Sequence, residues 1–201
     1  MVADVSNYAG REQAWVKHFF LASYLESLVH KTASKYDHIV YVDGFSGPWQ
    51  SSGEGYADTS FGIALAALRK AKASWKPLGR KVRMSAHLVE KNRDAYRNLE
   101  AIKPKFPDIE VHTYNGDFMK VMPTVLAAVP ANAIAFFLLD PKGWRFDAQQ
   151  LAPLLSRPNS EVVFNFMFDF INRTASMSDP ALEAGLTALM PFGGWREKLN
   201  A

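Results

Sequence analysis

The stretch HIVYVDGFSGPWQSSGEG, residues 38–55, decides the fold that this sequence predicts. Residues 39–42 are continuously apolar, which is typical of a strand that is covered on both faces of a parallel sheet. The run stops at Asp43, and glycines and serines follow where a helix would normally begin. Because glycine accepts positive φ and lets a ligand approach the main chain, this turn could present N–H groups to a small polar ligand, with Asp43 at its rim. An ordinary strand-to-helix turn is the alternative.

Length and composition restrict the class of protein. The chain has 201 residues and is 48% hydrophobic, which is enough for one core, so we expect a single domain over residues 1–201. The 23 Lys and Arg residues nearly balance the 20 Asp and Glu residues, and this charge leaves nucleic acid open as a partner. Cysteine is absent, which excludes disulfides and thiolate metal sites. No window reaches the ~20 apolar residues of a membrane span and no secretory signal precedes the domain, so we expect a cytoplasmic protein.

Hydrophobic periodicity extends the prediction on both sides of the first strand. Apolar residues at helical spacing predict an amphipathic leading helix over residues 11–30. Its apolar positions are Trp15, Val16, Phe19, Phe20, Ala22 and Tyr24. Further apolar runs of strand length lie at 84–90, 109–113, 133–140 and 161–168, and segments with helical content lie at 59–72, 93–102, 118–128 and 147–155. This alternation predicts an α/β fold with a doubly wound, mostly parallel sheet over residues 39–168.

Acidic residues follow three of the first four predicted strands, and such sheets bind ligands beyond the carboxyl ends of their strands. Asp43 ends the first strand, Glu90 ends the second in HLVEK, and Asp140 follows the fourth. A carboxylate at the position of Glu90 can accept hydrogen bonds from both hydroxyls of a ribose. The interval from Asp43 to Glu90 exceeds the ~20 residues of a compact dinucleotide motif, which fits a long first loop. The alternative for Glu90 is a solvated acid favoured by a helix dipole.

The segment YNGDFM follows the third strand. Asp117 could accept a hydrogen bond from the exocyclic amine of an adenine, and Phe118 could contact the face of the adenine ring. Aspartate before an apolar helix is also a common N-cap, so the two roles are alternatives that can coexist.

The segment FFLLDPKGW closes the fourth strand. Pro141 keeps Asp140 out of helical geometry, so the Asp140 carboxylate and the Pro141 carbonyl are expected to face the crevice as paired acceptors for an amine. Trp144 or Phe146 could stack on a flat acceptor. The alternative is an Asp-Pro turn with Trp144 in the core.

In order along the chain, YVDGFSGP, VEK, GDF and LLDPKG resemble the class I S-adenosylmethionine-dependent methyltransferases. More narrowly, the helix WVKHFFLASYL, the run YVDGFSGP and the later DPxG resemble the three-Cys-motif partner family over residues 15–168. That family is named for its genomic pairing with proteins that carry a three-cysteine cluster, which suggests iron–sulfur chemistry.

The resemblance implies a methyltransferase that uses S-adenosyl-L-methionine and acts on nucleic acid, with a base amine as the favoured acceptor. It implies cofactor binding by Lys17, His18, Asp43, Gly44, Phe45, Ser46, Gly47, Glu90, Asp117 and Phe118, and a catalytic role for Asp140, Pro141 and Trp144. Two positions depart from the family pattern: Trp49 stands where glycine is usual, and Lys142 stands where an aromatic residue is usual. The histidines are not grouped at ligand spacing, so no metal site is expected.

One alternative stays open, and a second lacks the motif that it needs. The chain could be a cofactor-binding or degenerate scaffold that acts only in complex with a three-cysteine partner protein. A nicotinamide-dependent oxidoreductase would need a Gly-x-Gly-x-x-Gly turn, which residues 43–48 do not supply.

The remaining predictions concern two flanking regions. Asn165, Asp169 and Arg173 follow the fifth strand and are further candidates to face the acceptor. Residues 169–201 are expected to form a partial C-terminal region without the terminal β-hairpin of class I methyltransferases. Trp75 lies among basic residues and is a candidate nucleic-acid contact, with a solvated helix end as the alternative.

Overall fold

The structure is a computed structural model that describes residues 4–10, 12–47, 51, 56–141, 147–165, 180–190 and 194. Five strands form its sheet: β1 (His38–Asp43), β2 (Arg83–Glu90), β3 (Glu110–Asn115), β4 (Ile134–Leu139) and β5 (Ser160–Phe164). Their order is β3-β2-β1-β4-β5, and every neighbouring pair is parallel. The order reverses between β1 and β4, which makes this the topological switch point of a Rossmann-like sheet. The predicted fold class is therefore confirmed.

The predicted helical segments are also present. The helices are α1 (Glu12–Ala33), α2 (Ser60–Trp75), α3 (Arg93–Glu100), α4 (Phe118–Ala128), α5 (Ala152–Leu155) and α6 (Pro180–Leu189). A 3₁₀ turn, Ala148–Leu151, leads into α5 and completes the segment predicted over 147–155. Strand β5 is shorter than predicted in its described part, and residues 166–168 lie outside the described residues.

Apolar side chains of β1 enter two separate cores, one on each face of the sheet. Ile39 and Tyr41 belong to the core beneath α1, α2 and α3, whereas Val40 and Val42 belong to the core beneath α4, α5 and α6. Because both faces are covered, the strand is apolar at successive positions rather than at alternate ones. Strand β3 lies at the edge of the sheet, and its side chains are correspondingly only half-buried or exposed.

Helix α1 is where predicted, but its buried face differs from the expected one. The residues buried on α1 are His18, Leu21, Leu25, Val29 and Ala33. Val16, Phe19 and Phe20 are instead more than half exposed, at 59%, 54% and 53%. The first half of α1 carries apolar residues nearly all round, so the packing of α1 against α2 and the sheet, rather than the helical period, selects the buried row. Within the described residues, no helix is both long enough and apolar enough to cross a bilayer.

Candidate functional site

Three acids end three neighbouring strands at the carboxyl edge of the sheet. In the register of the sheet, Asp43 lies level with Leu88 on one side and Leu138 on the other. Glu90 and Asp140 therefore each lie two residues further along their strands, on either side of Asp43. The acids predicted from the strand ends thus flank β1 at the point where strand order reverses.

Asp43 lies beneath the edge rather than at its rim. Its side chain is fully buried, and its Oδ2 accepts hydrogen bonds from Tyr41 Oη at 3.1 Å and from Ser60 Oγ at 2.6 Å. Its Oδ1 accepts the main-chain N–H of Phe45 at 3.1 Å. The predicted position at the rim is therefore wrong, because the start of α2 and the turn itself enclose the carboxylate. Asp43 acts as the internal anchor of the turn.

The enclosure of Asp43 changes its acidity. Burial raises the pKa of Asp43, because the charged carboxylate is poorly solvated there. Hydrogen bonds from Ser60, the Phe45 N–H and Tyr41 oppose this rise, and the negative charge of Asp140 adds to it. Burial also raises the pKa of Tyr41, and the charge of Asp43 raises it further.

The turn after β1 uses its first N–H groups internally. The Gly44 N–H donates to the Leu138 carbonyl at 3.0 Å, and the Ser46 N–H donates to the Val89 carbonyl at 2.9 Å. The Phe45 N–H already donates to Asp43. These three donors are thus bound within the chain and do not face a ligand as the sequence predicted. Gly47 has φ of +73°, the left-handed conformation that glycine adopts most readily.

Gly44 and Phe118 form a tight contact at the same edge. A Cβ on Gly44 would lie 3.1 Å from the Phe118 ring and 3.0 Å from Leu139 Cδ2, so the main chain passes close to both side chains. Phe118 is only 2% exposed, and its ring packs against that of Phe45 at a centroid distance of 5.7 Å. The predicted contact of Phe118 with an adenine face is not available in this arrangement, because the ring is part of the core.

Glu90 meets the expectation for a ligand-binding acid more closely. It ends β2 and is 5% exposed. Its Oε1 accepts the main-chain N–H of Asn92 at 2.5 Å, whereas Oε2 accepts no hydrogen bond from the described residues. A nearly buried carboxylate with one oxygen that the described residues do not use is suited to accept hydrogen bonds from hydroxyl groups of a ligand.

Asp117 has the N-cap role that the sequence offered as an alternative. Its Oδ1 accepts the Met119 N–H at 3.1 Å at the start of α4, and its Oδ2 lies 3.0 Å from Lys91 Nζ. The N-cap contact accounts for one side of the carboxylate, and the ion pair accounts for the other. Neither contact tests a further contact of Asp117 with an adenine.

Asp140 is bound from two sides. Its Oδ2 forms an ion pair with Lys17 of α1, and its Oδ1 accepts the side-chain amide of Asn165 at 2.6 Å. The side chain of Asp140 is 21% exposed, and the neighbouring Pro141 is buried. Trp144, together with Asp169 and Arg173, lies outside the described residues.

Lys17 and His18 do not form a shared cationic pair. Lys17 reaches Asp140, while His18 lies on the buried face of α1 at 6% exposure. The Nδ1 atom of His18 lies 2.8 Å from Tyr8 Oη. The two adjacent residues therefore contact different parts of the protein.

Two residues of the site had no role in the sequence prediction. Tyr41 and Ser60 both donate to Asp43, and Ser60 is the first residue of α2. The available signal for Ser60 was its place directly after Thr59, the N-cap of α2, but nothing local indicated that its hydroxyl turns toward β1.

Trp75 and its basic neighbours form internal contacts. The Trp75 indole N–H donates to the His30 carbonyl at 3.1 Å, so the ring joins the end of α2 to α1. Arg69 pairs with Asp108 and Lys70 pairs with Glu26. Arg69 and Lys70 keep exposed side chains, as expected of a solvated helix end, and these contacts do not test a nucleic-acid contact of Trp75.

A cavity of about 390 Å³ lies at the amino ends of β1 and β2, opposite the acids. Its lining residues are Lys35, Tyr36, Asp37, His38, Arg83, Pro130 and Asn132. In the part of the chain that the structure describes, no group of three or more His, Asp or Glu side chains is arranged to hold a metal ion.

Comparison with protein-family models gives no match for this chain, and comparison with curated proteins gives none. The geometry of the site and the resemblance of its motifs are therefore the basis for assigning a function.

Proposed function

We propose that this protein is an S-adenosylmethionine-dependent methyltransferase that modifies an amino group, with a nucleic-acid base as the favoured acceptor. The observation that carries the proposal is the position of Asp43, Glu90 and Asp140 at the carboxyl ends of β1, β2 and β4, where strand order reverses. Sheets of this type bind nucleosides at that place. The motifs that resemble the three-Cys-motif partner family support the same assignment.

Several described residues fit the cofactor. Glu90 has a nearly buried carboxylate with one oxygen not used by the described residues, which suits the ribose hydroxyls. A Cβ added to Gly44 would lie 3.0 Å from Leu139 Cδ2, so a larger residue there would crowd the side chains at this edge. Asp43 contributes indirectly, because its carboxylate holds the turn through the Phe45 N–H.

The bound cofactor would supply a methyl group on a sulfonium: the acceptor nitrogen forms the new N–C bond, the S–C electron pair stays on sulfur, and the acceptor then loses a proton to water. The chain's own task is to orient the acceptor. Asp140 can accept an N–H from an amine and so direct the nitrogen lone pair, and Pro141 follows it without a main-chain donor. Trp144 is proposed to stack on a flat acceptor.

A methyl-transfer assay tests this proposal. The protein is incubated with labelled S-adenosylmethionine and, separately, with mixed-sequence single-stranded DNA and RNA oligonucleotides. We expect label in one of the nucleic acids, and at least a tenfold lower rate for Asp140→Asn, a loss of about 1.4 kcal/mol of transition-state stabilisation. Asp37→Asn is a matched control, because Asp37 lies at the opposite edge and its side chain is 87% exposed. Cofactor binding without transfer to either nucleic acid would contradict this acceptor class.

The second candidate function is a cofactor-binding scaffold that acts with a three-cysteine partner protein. The engaged N–H groups of Gly44, Phe45 and Ser46 and the burial of Phe118 favour it, because they leave fewer groups to contact a cofactor than an active site would use. Repeating the assay with the partner protein added separates the two candidates. Transfer without the partner supports the enzyme, and cofactor binding without transfer in any combination supports the scaffold.

A further inference from the structure

The carboxylate of Asp140 is held by donors from two distant parts of the chain. Lys17 lies in α1, 123 residues before Asp140, and its ammonium donates to Oδ2. Asn165 directly follows β5 and donates its side-chain amide to Oδ1 at 2.6 Å. One helix and two strand ends therefore converge on a single carboxylate at the edge where the acceptor is proposed to bind.

Both donors are themselves fixed in place. The main-chain N–H of Asn165 donates to the Leu139 carbonyl at 2.8 Å, which continues the pairing of β4 with β5 by one residue. Lys17 belongs to a helical turn that is anchored by the buried His18, whose Nδ1 lies 2.8 Å from Tyr8 Oη. The contacts to Asp140 thus arise from ordered backbone on both sides.

The arrangement leaves Asp140 able to bind a further donor. A carboxylate offers about four acceptor positions on its two oxygens, and Lys17 and Asn165 occupy one position on each oxygen. Two donors on different oxygens restrict rotation about the Cβ–Cγ bond. The ammonium of Lys17 also offsets the charge of Asp140, which lies near the buried carboxylate of Asp43.

We propose that Lys17 and Asn165 are positioning residues for Asp140: they hold its carboxylate in one orientation, so that its remaining acceptor positions face the amine that is to be methylated. The inference rests on the proposed methyltransferase function and assigns Lys17 a different role from cofactor binding. Lys17 acts through Asp140, and its contribution belongs to the transfer step rather than to the affinity for the cofactor.

The test measures cofactor affinity and transfer rate separately. Calorimetry gives the dissociation constant for S-adenosylmethionine, and single-turnover transfer to the oligonucleotide that the unchanged protein methylates gives the rate at saturating cofactor. For Lys17→Met and Asn165→Ala we expect rates reduced about tenfold, equivalent to about 1.4 kcal/mol, with dissociation constants within about twofold. Lys17→Arg keeps a cation and should recover most of the rate. Lys31→Met, at an exposed position of the same helix, is the matched control and should leave both quantities unchanged.

Each outcome separates this inference from the function on which it rests. Unchanged rates in Lys17→Met and Asn165→Ala would overturn the positioning role and leave the methyltransferase proposal standing. A parallel loss of cofactor affinity and rate would also overturn it, because the two residues would then be cofactor ligands. If the unchanged protein binds no S-adenosylmethionine, the proposed function fails and the positioning role fails with it. Circular dichroism of each variant identifies any rate loss that comes from unfolding, in which case Lys17→Gln, which also removes the cation, and Asn165→Ser replace the two variants.

Discussion

Ser60 Oγ lies 2.6 Å from Asp43 Oδ2, and this hydrogen bond connects the first residue of α2 to the last residue of β1. Asp43 is fully buried, so the bond replaces solvent that the carboxylate has lost. The residue at the end of the central strand is thereby linked directly to the first residue of α2, above the turn.

Replacing Ser60 with alanine is expected to lower the free energy of unfolding. The change removes a hydrogen bond to a buried carboxylate and leaves that carboxylate with Tyr41 and the Phe45 N–H as donors, so we expect a loss of about 1.5–3 kcal/mol. Urea unfolding measures this loss in the free energy of unfolding. Ser27→Ala is the control, because Ser27 is exposed on α1 and its change should stay within about 0.5 kcal/mol. Equal midpoints for the two variants would contradict the role of Ser60.

Asp43 should make the protein less stable as the pH rises from its ordinary pKa of 3.8 to its raised pKa in the folded state. Burial raises its pKa in the folded state above the ordinary 3.8, so the unfolded chain releases this proton first. Between the two pKa values the folded state binds more protons, and the free energy of unfolding falls as pH increases. Asparagine does not titrate, so in Asp43→Asn this pH-dependent loss of stability disappears. As the pH rises between the two pKa values, the free energy of unfolding of the variant should increase relative to that of the unchanged protein. Unfolding free energies at several pH values give the difference curve, and a flat curve would rule out a raised pKa.

His87, in contrast to Asp43, should make the protein less stable as the pH falls. Burial, together with the charge of His112, lowers its pKa from 6.5 to about 3. Below pH 6.5 His87 becomes protonated in the unfolded chain but stays neutral in the folded protein. The free energy of unfolding therefore falls with decreasing pH, by at most ~1.4 kcal/mol per pH unit. His87→Asn can keep a hydrogen bond to Tyr114 Oη, which lies 2.8 Å from His87 Nδ1, without titrating. We expect a flatter acid profile for this variant, and an unchanged slope would contradict the expectation.

Gly62 should not tolerate even one added methyl group. A Cβ at this position would lie 2.1 Å from the carbonyl oxygen of Tyr56, and a main-chain atom cannot move aside cheaply. Alanine in a helix ordinarily stabilises relative to glycine by about 0.5–1 kcal/mol, but here we expect a net loss of about 1–3 kcal/mol. Chemical denaturation of Gly62→Ala decides the sign. Ala66→Gly, at an exposed position of the same helix, measures the effect of helix propensity on stability without a steric clash. A more stable Gly62→Ala would mean that α2 starts differently.

The sequence carried enough information to predict the sheet and its acidic edge. The continuous apolar runs before Asp43 and Asp140 indicated buried parallel strands, because exposure on one face would have produced alternation. The strand before Glu90 contains Ser85 and His87 and carried this signal less clearly. The parallel sheet then brings the strand ends to the same edge. These features depend on local pattern and on topology, both of which are readable from the chain.

The environment of each acid could not be predicted in the same way. Burial of Asp43 depends on Ser60, and the ion pair of Asp140 depends on Lys17, which is 123 residues away. Such contacts are set by the packing of whole elements. Likewise, α1 buries Leu21 and exposes Phe19 because of where α2 and the sheet lie, a choice that helical spacing leaves open.

The most direct test of the central claim is a calorimetric titration of the protein with S-adenosylmethionine. We predict saturable binding at one site per chain, and an affinity that falls about tenfold in Glu90→Gln, which weakens the acceptor at the end of β2 by about 1.4 kcal/mol. Glu26→Gln changes an acid that is 56% exposed on α1 and should bind as the unchanged protein does. Absence of binding heat with the unchanged protein at millimolar cofactor would contradict the account, as would equal affinities for the Glu90→Gln and unchanged proteins.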